Sequence, residues 1–124
     1  MAVPRILKEE LKQRLEGPPD ARPAVIDVRL KYPFEHSTVM IAGAIRMAPS
    51  ELNASAIPRD RDIVLYDSDP DELVSERVAQ ELIRQGFRAM ALTGGIGDWV
   101  TAKLPTESKP APQPLTPAPG ALKG

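Results

Sequence analysis

Leu7, Leu11 and Leu15 recur every four residues among Lys8, Glu9, Glu10, Lys12, Gln13, Arg14 and Glu16. That spacing predicts a short amphipathic helix, stopped by Gly17-Pro18-Pro19. Ala24-Val25-Ile26-Asp27-Val28 is a short apolar run of the kind buried in a parallel sheet. A weaker strand is predicted over Ala42-Gly43-Ala44-Ile45-Arg46-Met47, with a helical turn from Pro49 to Leu52 before the Ile57-Pro58-Arg59-Asp60 turn. The clearest strand is Ile63 to Tyr66. After it, Val74, Val78, Ala79, Leu82 and Ile83 share one face of a helix that Gly86 ends as a left-handed cap. Phe87 to Leu92 predicts another strand, and Ile96 to Thr101 a last helix carrying Trp99 in the core.

Strands alternating with helices predict an α/β fold, a parallel twisted sheet of four to five strands with helices on both faces. One domain spans residues 1–104. From 105 to 124 the chain is punctuated by Pro105, Pro110, Pro112, Pro114, Pro117 and Pro119, shows no periodicity, and reads as a flexible tail.

In such a sheet ligands bind beyond the carboxyl ends of the strands, where Asp67 falls. The loop that follows, Ser68-Asp69-Pro70-Asp71-Glu72-Leu73, is strongly acidic. Asp69, with Pro70 next and Glu72 three residues on, also fits a helix N-cap, first helical position and capping-box partner.

The 124 residues carry a net charge of −1 and no cysteine. The near-neutral charge gives no reason to expect nucleic acid or an anionic membrane as a partner, and no apolar run is long enough to span one. Without cysteine there are neither disulfides nor thiolate metal sites, and the cytoplasm is the default location. His36, the single histidine, follows Glu35 in a predicted loop and has no second histidine to share a metal with. No metal or other cofactor is expected.

Three anchors in order carry a family resemblance. They are Ile26-Asp27-Val28-Arg29 at a strand end, Met40-Ile41-Ala42-Gly43-Ala44-Ile45, and Leu92-Thr93-Gly94-Gly95 with Trp99. Together around the strand-loop-helix at Asp67, over roughly residues 5 to 105, they resemble a rhodanese-like domain. The second anchor departs from the family's His-Ile-Pro-Gly-Ala at Met40 and Ala42. The loop resembles a bacterial subgroup reading Tyr-Cys-x-Cys-Pro-x-Glu, with Asp67 and Asp69 at its two cysteines.

The resemblance implies sulfur transfer through a cysteine thiolate that becomes a persulfide, the thiolate being favoured by backbone N–H groups and a helix N-terminus. Asp67 cannot form a persulfide. Two unit charges 4 Å apart repel by about 4 kcal/mol at an effective dielectric of 20, whereas the helix dipole returns only about 0.3–1 kcal/mol per charge. An anionic substrate is therefore disfavoured beside Asp67, Asp69, Asp71 and Glu72. The expectation is that Asp67 fills its own anion pocket.

The first reading is then a catalytically inactive rhodanese-like domain, a binding or regulatory module that presents residues 67 to 73 to a cationic ligand or basic protein surface. Arg29, Tyr32, Phe34 and Arg46 are candidates for the pocket rim, with an ion pair to Asp27 the competing role for Arg29. Tyr32 and Phe34 are expected in a loop. The alternatives are a hydrolase or phosphoryl-transfer enzyme using Asp67 with a divalent metal, a residual sulfurtransferase activity, and a purely structural part. Asp67-x-Asp69 superficially resembles the haloacid-dehalogenase phosphatases, but Pro70-Asp71 breaks their pattern. A calcium loop fails because Glu72 and Val78 stand where its Gly and Glu belong.

Overall fold

The structure is a computed structural model that describes residues 3–68 and 73–109. Five strands form the main sheet: β1 (Arg5–Ile6), β2 (Ala24–Asp27), β4 (Ile45–Arg46), β5 (Ile63–Tyr66) and β6 (Ala89–Leu92). Their order is β1-β6-β5-β2-β4, and every neighbouring pair is parallel. The helices are α1 (Lys8–Leu15), α2 (Lys31–His36), α3 (Leu73–Arg84) and α4 (Gly95–Thr101). Two short strands, β3 (Val39–Ile41) and β7 (Thr106–Ser108), pair antiparallel beside the main sheet.

Period-two alternation divides the apolar residues between two cores. Ile26, Ile63, Leu65, Ala89 and Ala91 point to the face where α3 lays Val78, Ala79 and Leu82. Val25, Val64, Tyr66 and Leu92 point to the opposite face, against Leu11 of α1 and Ile96 and Trp99 of α4. The central strand β5 is buried at all four positions, which is why it reads as an unbroken apolar run. Each fully buried Leu, Ile or Val contributes about 1.5–3 kcal/mol relative to exposure, so the two layers dominate the fold's stability.

The predicted parallel α/β sheet is present with five strands, and several boundaries differ. Helix α3 ends in a Schellman motif. The Gly86 N–H bonds the Ile83 carbonyl and the Phe87 N–H bonds the Leu82 carbonyl, both at 3.0 Å, with Gly86 at φ 93°. That cap takes up Phe87, so β6 begins only at Ala89. The strand expected from Ala42 to Met47 shrinks to Ile45–Arg46, because residues 42–44 turn away from β3 and the Ala44 N–H closes on the Ile41 carbonyl at 3.0 Å.

Tyr32, Phe34 and His36 stand on helix α2 rather than in a loop. Pro33 lies in that helix's first turn, where the missing N–H costs nothing. At its other end the Lys109 ammonium donates to the carbonyls of Phe34 at 2.5 Å and Glu35 at 3.3 Å.

The boundary at residue 104 is also corrected. Residues 105–109 belong to the fold, since β7 pairs with β3 and the Trp99 indole N–H donates to the Pro105 carbonyl at 2.7 Å. Three paired residues are too few to leave a periodic signal in a Pro-rich composition. Residues 110–124 lie outside the described residues.

Candidate functional site

The carboxyl ends of β2 and β5 each present a buried carboxylate, Asp27 and Asp67, and the surrounding elements are arranged around them. Asp27 is completely buried and Arg29 is 1% exposed. The Arg29 guanidinium grips Asp27 from Nε, at 3.0 and 3.1 Å, and from Nη2 at 2.7 Å, while the Arg29 backbone N–H adds a bond of 3.0 Å. Nη2 also reaches the Val39 carbonyl at 2.9 Å, tying the β2 end to β3. From β5, the Tyr66 hydroxyl donates to Asp27 Oδ2 at 2.9 Å and accepts the Ile41 N–H at 3.2 Å. Arg46 at the β4 end donates to the Arg29 carbonyl at 2.6 Å and stands 3.6 Å from Asp27 Oδ1.

These contacts explain the ionisation of the cluster. Burial, and then the charge of Asp27, push the Tyr66 phenol well above its ordinary value near 10. Burial lowers the Arg46 guanidinium from its ordinary value, opposed by attraction to Asp27. The phenol thus stays a donor and Asp27 keeps all its partners.

Asp67 follows Tyr66 directly and is 1% exposed. Its Oδ2 accepts the Ser75 backbone N–H at 2.7 Å. Ser75 is the third residue of α3, so Asp67 satisfies one of the donors that a helix start leaves without an intrahelical partner. The Asp67 backbone carbonyl accepts the Ile96 N–H at 3.0 Å, from the first turn of α4. One residue therefore serves the N-terminal ends of two helices.

The approach of α4 is close. Gly94 and Gly95 both have positive φ, at 82° and 61°, and a Cβ at Gly95 would overlap the Asp67 carbonyl oxygen. Only glycine lets the chain turn there while the Ile96 N–H meets that oxygen.

A model of the family described as the rhodanese-like domain matches residues 7–102. The chain belongs to the rhodanese-like family. It is 35% identical over 107 residues to a sulfurtransferase of Allochromatium vinosum, covering 83% of this chain and 94% of that one. A full-length protein from Lactobacillus plantarum has a similar fold, with a TM-score of 0.75 at 24% identity, covering 85% of this chain and 88% of that one. A rhodanese-related protein from Thermoplasma volcanium gives 0.66 at 21% identity, over 84% and 97% of the two chains. The structures show the shared fold, and the relative from Allochromatium vinosum bears the name sulfurtransferase.

Within this rhodanese-like fold the residues singled out from sequence fall into distinct places. Asp67 is buried against the start of α3, Ser68 is exposed, and Leu73 is 61% exposed. Asp69, Pro70, Asp71 and Glu72 lie outside the described residues. Arg29 is not on a rim: it is buried and spent on Asp27. Arg46 is half-buried and engaged with Asp27 and the Arg29 carbonyl. Phe34 is half-buried, its ring between the Arg46 guanidinium at 4.0 Å and the Lys109 ammonium at 4.3 Å. Of the rim candidates only Tyr32 is well exposed, at 66%.

The sequence pattern does not mark Tyr66, Ser75 or Gly95 as parts of the site. Tyr66 reads as one more apolar strand residue, and Ser75 acts through its backbone. The paired glycines at 94 and 95 are the one visible sign that the backbone of α4 comes close to something. Among the described residues no three His, Asp or Glu side chains converge as metal ligands.

Two consequences are measurable. Gly95→Ala adds about 1–2 kcal/mol of left-handed strain to the overlap with Asp67, for an expected total loss of about 2–4 kcal/mol in urea unfolding. Gly97→Ala in the same helix meets open space and is expected to be neutral or stabilising. In a Tyr32→Phe chain, Tyr66 is the only tyrosine, and its ultraviolet phenolate band is expected only once the protein unfolds. Above about pH 10 the unfolded chain releases a proton that the folded one retains, so this group makes stability fall as pH rises. A phenolate band that grows while the fold stays intact would contradict the buried Tyr66–Asp27 bond.

Proposed function

We propose that this rhodanese-like domain is a non-catalytic binding or regulatory module in which Asp67 occupies the position that the family's cysteine holds. The observation that carries this reading is the 2.7 Å bond from the Ser75 N–H to the buried Asp67 carboxylate. An N–H at a helix start, the kind of group that would favour a thiolate or an anionic substrate, is taken by a side chain of the protein itself. A carboxylate oxygen cannot take up sulfane sulfur as a cysteine thiolate does in becoming a persulfide, and the sequence contains no cysteine to replace it.

The same charge shapes what the module receives. Asp67, Asp69, Asp71 and Glu72 repel anions and favour a cationic ligand or a basic protein surface, met at residues 67 to 73. The cytoplasm is its proposed setting. No helix among the described residues is long and apolar enough to cross a membrane.

Purified protein is expected to give no turnover with thiosulfate and cyanide, and none with a phosphate monoester and magnesium. Asp67→Ala is expected to lose about 1–3 kcal/mol of stability, because the Ser75 N–H is left buried without its acceptor, and to gain calorimetrically detectable thiosulfate binding. Wild-type turnover that disappears in Asp67→Asn would overturn the reading. So would an Asp67→Ala protein of unchanged stability that binds no anion.

A further inference from the structure

A groove of about 620 Å³ lies on the outer side of α3, facing the connection that follows β2 and the segment from Ala48 to Leu52. Its apolar part is built from Leu30, Ala48, Pro49, Leu52 and Val78, with Leu30 48% exposed. Three cations, Lys31, Arg77 and Arg84, line it against one carboxylate, Glu81. Arg84 is held by Glu81 at 3.1 Å, and Glu81 also accepts from the Gln85 amide at 2.9 Å. The carboxylate of the groove is thus neutralised from within its own helix.

Lys31 and Arg77 are different. Both are exposed, and neither forms an ion pair among the described residues; the Lys31 ammonium only overlies the Tyr32 ring at 5.7 Å. On α3, Arg77 is exposed next to the buried Val78. An apolar floor flanked by two uncompensated cations has a defined complement, apolar side chains followed or preceded by carboxylates.

We propose that this groove docks a short acidic, apolar peptide segment of another protein, its apolar side chains on Leu30, Leu52 and Val78 and its carboxylates toward Lys31 and Arg77. The remainder of this chain is a poor occupant, because residues 110–124 contain no Asp or Glu. The groove shares no residue with the 67–73 mouth and takes ligands of the opposite charge. Its occupancy does not depend on the fate of Asp67.

The test is to pan phage-displayed random peptides of about a dozen residues on the full-length protein, then measure the enriched peptides by fluorescence polarisation. Enriched peptides are expected to combine Asp or Glu with Leu, Ile or Phe, and to bind more weakly as salt rises. Their affinity is expected to fall about tenfold or more in the Lys31→Glu, Arg77→Glu double variant and to be unchanged in Arg22→Glu, an exposed cation outside the groove. If the double variant melts below the wild type, Lys31→Ala and Arg77→Ala serve singly, each with a smaller loss expected. Failure to enrich above a blank surface, enrichment of basic peptides, or equal binding to the variants would overturn the proposal. So would concentration-dependent self-association abolished by the same substitutions, which would make a second copy the occupant.

Discussion

Two buried carboxylates at the carboxyl ends of adjacent strands set the terms for this end of the molecule. Taking an ion out of water costs several kcal/mol, and the cost is recovered only when partners of good geometry surround it. Asp27 recruits partners from every neighbouring element: the Arg29 fork beyond its own strand, the Tyr66 hydroxyl on β5 and the Arg46 guanidinium on β4. Asp67 is met by the Ser75 N–H of α3, and its backbone carbonyl by the Ile96 N–H of α4. Three strands, two helix starts and the Val39–Ile41 segment are thereby tied together by charge and hydrogen bonding, while the apolar cores fix the layers.

That arrangement bears directly on function. This rhodanese-like fold places helix-start N–H groups at the carboxyl ends of its strands, and such groups take an acceptor from a side chain, water or a ligand. In this chain a side chain meets the Ser75 donor. In the proposed module, filling the position from within stabilises the fold and leaves an anion less reason to enter. The proposed module keeps the family scaffold and directs its acidic mouth to cations.

The main architecture was legible because β5 is an unbroken apolar run and α3 carries a clear helical period, and because Gly86 marks the cap of α3. The α2 helix was hidden by Tyr32-Pro33-Phe34, which reads as a loop until the ring of Phe34 is seen between Arg46 and Lys109. Strand β7 was hidden by its prolines and its three-residue length, and its anchor is an indole N–H far from it in composition. The ion pair of Arg29 with Asp27 was visible as an option in the sequence. The depth of its burial was not, since it depends on β3 and β4 closing over it. The Ser75 donor was invisible in principle, because a backbone N–H leaves no letter in the sequence.

The central claim is that Asp67 keeps the Ser75 N–H from any external anion. The most direct measurement is a thiosulfate titration of the isotope-labelled wild-type protein, followed at the Ser75 and Ile96 backbone amides by NMR. The account predicts that neither resonance shifts beyond the uniform drift due to ionic strength. A saturable shift at Ser75 would mean that an anion reaches the helix start past Asp67, and would contradict it.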